Sequence, residues 1–93
     1  MPRFLIEVSH APTIGACVQA IEVFLRTGSH FLTNADWGCA DGVHAAWIVV
    51  ESDTREHARN IVPPDFRSHA KVTQLNGFSR ERLEELRRQH GLQ

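Results

Sequence analysis

The chain of 93 residues lacks the features that define several large classes of protein. It has no uninterrupted apolar run near the roughly 20 residues that a membrane-spanning helix needs, so we expect no membrane partner. Its two cysteines are too few for the disulfide framework of a small secreted domain, which favours a reducing, cytoplasmic environment. Ten Lys and Arg against eleven Asp and Glu leave no basic surplus, which argues against binding to nucleic acids.

Motifs that would identify a reaction or a nucleotide are also missing. The chain contains no CxxC, HExxH, GxGxxG, GxxxxGK[ST] or GxSxG pattern. Whether it is an enzyme therefore stays open at this stage. Hydrophobic residues at 42% and charged residues at 23% are typical of one folded domain. A domain of this size has only a marginal core, so self-association is expected.

Apolar residues follow two different periods along the chain. Alternation predicts four strands, at residues 4–9, 30–39, 44–51 and 70–75. Steps of three and four residues predict a first helix from Ile14, with Thr13 as its N-cap and Gly28 as its stop.

Two further helices and one hairpin complete the predicted order. Asp41-Gly42 is a strong signal for a two-residue hairpin turn. A second helix opens at Asp53 with Glu56 and stops at Pro63-Pro64, and a terminal helix begins after Ser79. The chain therefore divides into an α+β domain at residues 1–78 and a C-terminal helix at 79–93, packed on the domain or on a partner subunit.

The element order β-α-β-β-α-β over residues 3–75 resembles the ferredoxin-like split βαβ fold. The resemblance implies an antiparallel sheet in the order 4-1-3-2, with both helices on one face. It is similar to small proteins that pair through their sheets as dimeric α/β barrels, including monooxygenase-like, isomerase-like and nickel-binding members. No family motif is present, so no catalytic residue is carried over.

The hairpin turn fixes which side chains share a face of the sheet. With Asp41 and Gly42 at the centre of the turn, Cys39 lies opposite His44, and Trp37 lies opposite Ala46. These positions belong to the apolar face, which the helices should cover.

Three metal-ligating residues should converge at one end of this covered face. His10 ends the first strand, and Cys39 and His44 flank the hairpin turn at the same edge. Imidazole and thiolate are ligands for Zn, Ni or Cu, and Asp41 could add an oxygen. The sequence therefore predicts a transition-metal site formed by His10, Cys39 and His44.

Two other interpretations of these residues stay open. A buried Cys is often only a small apolar side chain, and a His at a strand end often satisfies a backbone group. A nucleophilic dyad of Cys39 and His44 would need a lowered thiol pKa and an oxyanion partner. Cys17 falls in the apolar stripe of the first helix and is predicted to be a core residue.

The opposite face of the predicted sheet mixes apolar and ionisable side chains. It carries Leu5, Glu7, Ser9, Leu32, Asn34, Asp36, Ala45, Trp47, Val49, Glu51, His69, Lys71 and Thr73. Such a face suits a homodimer or higher homo-oligomer that closes over a semi-polar cavity for a small-molecule ligand. Glu7 or Asp36 would then act as a general base, with His69 or Lys71 as its charged partner and Trp47 as an interface anchor.

Three functions remain in competition. The leading hypothesis is a small binding protein with a transition metal at His10, Cys39 and His44. The second is a cofactor-free isomerase- or monooxygenase-like enzyme that uses the face of Glu7 and Asp36. The third is an assembly or regulatory module without a ligand, since antiparallel sheets commonly turn one face to water.

Overall fold

Four antiparallel strands form an open sheet in the computed structural model, which describes residues 1–27 and 29–92. The strands are β1 (Arg3–Ser9), β2 (Asp36–Trp37), β3 (Ala45–Glu51) and β4 (Ala70–Leu75). Their spatial order is β2-β3-β1-β4, and β1 pairs with both β3 and β4. The strands predicted at 4–9, 44–51 and 70–75 are confirmed to within one residue.

Helices connect and follow these strands. They are α1 (Ile14–Thr27), α2 (His30–Thr33), α3 (Arg55–Arg59) and α4 (Arg80–Gln89). The predicted start of α1 is confirmed, because the Ala16 N–H donates to Thr13 Oγ1 at 3.1 Å. Gly28, the predicted stop, lies outside the described residues. Among the described residues, no helix has the length and apolar character needed to cross a lipid bilayer.

Side-chain caps also define the starts of the last two helices. Thr54 rather than Asp53 caps α3, since its hydroxyl oxygen accepts from the His57 N–H at 3.1 Å. A 3-10 segment, Pro64–His69, follows the two prolines and was not predicted. Ser79 caps α4 as predicted, by accepting from the Arg82 N–H at 3.1 Å.

The strand predicted at 30–39 is wrong over most of its length. The segment forms α2, the two-residue β2 and a 3-10 turn at Cys39–Asp41. The Thr33 hydroxyl and the Asn34 amide both donate to the His30 carbonyl, at 3.1 and 2.7 Å. These local bonds compete with a strand ladder. Leu32 is consequently buried in the core and Asn34 caps α2, so neither lies on the open sheet face.

The hairpin keeps its predicted register but not its predicted turn. Asp36 pairs with Trp47, and Trp37 pairs with Ala46. The Gly38 N–H donates to the Ala45 carbonyl at 3.0 Å, and the chain then leaves the ladder for the 3-10 turn. Gly42 closes that turn at φ 81°, a backbone angle that favours glycine. The hairpin loop is therefore wider than two residues.

An apolar core of described residues lies between the sheet and the two helices α1 and α3. Phe24 of α1 and Ala58 of α3 belong to the same buried cluster as Ile6 and Ile48 of the sheet. Both helices therefore cover one face of the sheet, and the opposite face is open. The 3-10 segment adds Phe66, whose ring centroid is 5.8 Å from that of Phe24.

Gly38 is the position where the hairpin is least tolerant of a side chain. A Cβ there would lie 2.7 Å from two ring atoms of Trp47 and 2.8 Å from the Val43 carbonyl oxygen. We expect Gly38→Ala to reduce the free energy of unfolding by about 1–3 kcal/mol, because the ring and the backbone must both shift. Urea denaturation measures this change.

The matched control for this prediction is Gly15→Ala in α1. A Cβ at Gly15 meets no atom within 4 Å among the described residues, and alanine is the better helix former. This variant should be as stable as the wild type or more stable by up to about 1 kcal/mol. Equal destabilisation by both substitutions would contradict the steric explanation.

Candidate metal centre

Three side chains that are distant in sequence meet at one end of the sheet. His10 follows β1, Cys39 begins the 3-10 turn, and His44 precedes β3. One ligand atom from each lies within 4.8 Å of the other two, and all three residues are half-buried. The His10 N–H donates to the His44 carbonyl at 3.1 Å, which ties the two histidine backbones together.

His10 has the tautomer that a metal ligand requires. Its Nδ1 lies 2.9 Å from the Ala11 carbonyl oxygen, which can only accept a hydrogen bond. The proton therefore resides on Nδ1, and Nε2 presents a lone pair to Cys39 Sγ at 3.1 Å. In the metal-free protein, the thiol donates to this nitrogen. A backbone carbonyl that orients a histidine through its second ring nitrogen is typical of metal sites.

His44 contributes a buried nitrogen without a partner. Its Nδ1 is shielded from solvent and has no hydrogen-bond partner among the described residues. Its ring centroid lies 5.6 Å from that of His10, with 73° between the ring planes. A buried polar atom left unpaired costs about 1–3 kcal/mol. Coordination of a metal ion by Nδ1 would remove this cost.

The surroundings of the three residues are partly apolar. The ring of Trp37 lies 6.2 Å from that of His10 and 5.0 Å from that of Phe24 in the core. This side of the site is therefore continuous with the core, and limited solvent access strengthens metal–ligand attraction. Asp41, which could have added an oxygen, is exposed and lies outside the cluster of ligand atoms.

Cys17 lies beside the site, although the sequence placed it in the core. It is half-buried in α1. Hydrogen bonding with the Cys39 side chain raises the pKa of the Cys17 thiol above its ordinary value, with smaller contributions from burial and from the Cys39 charge. Cys17 is therefore a neutral thiol at neutral pH. The sequence contains one indication of this position: α1 begins only four residues after His10, so the first turn of the helix lies near the proposed ligands.

Four of the ionisable and aromatic residues predicted for the open face form one row across the sheet. Asp36 pairs with Trp47, Trp47 with Glu7, and Glu7 with Lys71. The Trp47 indole donates to Glu7 Oε1 at 2.8 Å, while Asp36 and Lys71 are exposed. The Glu7 carboxylate is thus already a hydrogen-bond acceptor. A general-base role for Glu7 or Asp36 stays a prediction that requires a second molecule to enclose the row.

His69 is not part of that row. It ends the 3-10 segment and lines a cavity of about 330 Å³ together with His10, Asp65 and Phe66. This placement does not test the pairing of His69 with a carboxylate of the open sheet face, which stays a prediction. The 3-10 segment precedes the β1–β4 ladder, which begins at Ala70, the first residue of β4 and the partner of Val8.

No protein-family model matches the chain, and neither the curated proteins nor the solved structures contain a significant match to it. A functional assignment therefore depends on the geometry of the chain's own residues. The convergence of His10, Cys39 and His44 is the arrangement whose chemistry is best defined.

Proposed function

We propose that this chain is a metal-binding protein that holds one transition-metal ion through His10 Nε2, Cys39 Sγ and His44 Nδ1. The observation that carries the proposal is that one ligand atom from each of these three residues lies within 4.8 Å of the other two. A second observation supports it: His44 Nδ1 is buried and has no hydrogen-bond partner among the described residues. Purely structural histidines and cysteines would be expected to satisfy their own polar atoms.

The donor set favours Zn(II), Ni(II) or copper over hard cations. Two imidazoles and one thiolate suit these metals, whereas Mg(II) and Ca(II) select oxygen ligands. Three protein ligands leave a fourth position for water or an exogenous ligand on a tetrahedral ion. Binding releases the Cys39 proton, because the thiolate rather than the thiol is the ligand. A reducing cytoplasm would keep this sulfur available.

We also infer that residues 1–78 form a ferredoxin-like split βαβ domain and that residues 79–93 add a terminal helix. Support comes from the spatial order β2-β3-β1-β4 and from the position of α1 and α3 on one face. In this arrangement β1 and β3 lie side by side. Their neighbouring ends carry His10 and His44, so the fold itself would position the proposed ligands.

Metal loading of the purified chain tests the proposed function. Reduced, metal-free protein is incubated anaerobically with Zn(II), Ni(II) or Cu(I), desalted, and analysed for metal content. We expect one retained ion per chain for at least one of these metals, and none for Mg(II). Failure to retain any of the three transition metals would overturn the proposal.

A further inference from the structure

The C-terminal helix α4 presents an apolar stripe that no other part of the chain at residues 1–27 and 29–92 covers. Every α4 side chain is exposed except Leu86, which is half-buried, and Leu83 is 46% exposed. Phe78, just before the helix, is also exposed. The Cα radius of gyration is 16.6 Å, against about 12 Å for a compact chain of this length. The helix therefore extends from the domain.

Positive charges border this stripe on both sides. At 100° per residue, Leu83 and Leu86 share one side of the helix, and Arg80, Arg82 and Arg87 flank it. The three glutamates of α4, at positions 81, 84 and 85, fall on the far side together with Arg88, and Arg82 pairs with Glu85 at 3.0 Å. The contact side of α4 is thus apolar along its centre and positively charged along its margins.

The open face of the sheet has the complementary character. Its centre carries Leu5, Trp47 and Val49, and Val49 is 56% exposed. Three carboxylates lie on the same face, those of Glu7, Asp36 and Glu51. Two cations, Arg3 and Lys71, are the cross-strand partners of Glu51 and Glu7, so the face keeps a negative balance through Asp36. Exposed apolar residues bordered by charged ones are typical of protein–protein contacts.

We propose that α4 of one molecule docks across the open sheet face of a second copy of this chain, and that the exchange is reciprocal. Leu83 and Leu86 would cover the apolar centre, while the arginines approach the carboxylates. A two-fold symmetric dimer forms this contact twice, because each copy supplies one helix and one sheet. The second copy is favoured as the occupant because both complementary surfaces belong to the same chain and α4 is not seated on its own sheet.

Sedimentation equilibrium of the full chain tests this dimer. We expect the wild type to be dimeric and Leu83→Asp and Val49→Asp each to raise the dimer dissociation constant about tenfold or more, since each buries a carboxylate in the contact. Ile14→Asp is the matched control, because Ile14 is 84% exposed on α1 and lies outside both surfaces. A wild-type chain that is monomeric across the concentration range would overturn the proposal.

Mixing the two variants separates helix-on-sheet docking from other dimers. An equimolar mixture of Leu83→Asp and Val49→Asp retains one intact contact per heterodimer, so it should recover part of the dimer that each variant has lost. A contact of sheet with sheet would leave Leu83→Asp dimeric, and a contact of helix with helix would leave Val49→Asp dimeric. Either of those results would overturn the docking.

A charge reversal provides a second route if an aspartate variant fails to fold. Arg87→Glu should also weaken the dimer, and high salt should reduce the difference between this variant and the wild type. Equal dimer affinity of the wild type and Arg87→Glu at low salt would contradict the charge complementarity on which the docking depends.

Discussion

The Cys39→Ser variant is expected to bind Zn(II) at least about 100-fold more weakly than the wild-type chain. The binding free energy of a structural zinc site with four ligands is about 10–16 kcal/mol, so each ligand contributes roughly 3 kcal/mol. A loss of this size lowers the affinity about 100-fold. Serine keeps the size of the side chain but supplies no thiolate. Competition with a zinc-chelating indicator at neutral pH measures the loss.

His44→Ala is expected to weaken Zn(II) binding to a similar extent, with a distinct effect on stability. In the metal-free protein His44 Nδ1 makes no hydrogen bond to the described residues. Removal of this nitrogen therefore breaks no hydrogen bond with them. The wild type should gain about 2.7 kcal/mol when free zinc is 100 times its dissociation constant, and the variant should lose this gain. Thermal unfolding with and without zinc separates the two effects.

His57→Ala is the matched control for both ligand variants. His57 is exposed on α3, and its backbone rather than its ring takes part in the helix cap. The His57→Ala variant should bind zinc as tightly as the wild-type chain. Wild-type affinity in both Cys39→Ser and His44→Ala would show that the cluster is not the metal site.

Phe24→Ala is expected to have the largest effect on stability. Phe24 is fully buried, and its ring lies 5.0 Å from Trp37 and 5.8 Å from Phe66. Truncation of a buried Phe costs about 3–5 kcal/mol. A chain of this length has a free energy of unfolding of about 5–14 kcal/mol, so a large share of the stability should be lost. Urea denaturation of the metal-free protein measures the change.

Leu25→Ala provides the comparison on the same helix. Leu25 follows Phe24 directly but is 55% exposed, so its truncation should change the free energy of unfolding by only about 0.5 kcal/mol. A similar loss in both variants would contradict the position of the core between α1 and the sheet. Phe24→Ala should also weaken metal binding, because Trp37 packs between Phe24 and His10.

Local patterns in the sequence predict most of the elements. Strand β4 has its predicted bounds, and Thr13 and Ser79 cap α1 and α4 as expected. These features depend on near neighbours: alternation along a strand, or one hydroxyl three residues before a free N–H. Thr54 replaces Asp53 as a cap because both are good capping residues and only backbone geometry chooses between them.

The segment at 30–39 shows where such patterns fail. Its alternation is compatible with a strand, but Leu32 reaches the core from α2, and Asn34 bonds back to His30. Local side-chain hydrogen bonds compete with the hydrogen bonds of a strand ladder. Which of the two forms depends on how the segment packs against the rest of the fold. The three hypothetical ligands nevertheless meet, because the register of Trp37 and Ala46 is retained.

The amino-acid sequence by itself determined the three long strands β1, β3 and β4, the caps of α1 and α4, and which residues have the chemistry to bind a metal. Only the tertiary structure decided that His44 Nδ1 is buried without a partner, that Cys17 lies beside Cys39, and that α4 extends from the domain. The physical reason is the distance along the chain over which each interaction acts. Periodicity and capping act over a few residues, whereas the environment of an atom depends on side chains that only the packing of distant segments brings together.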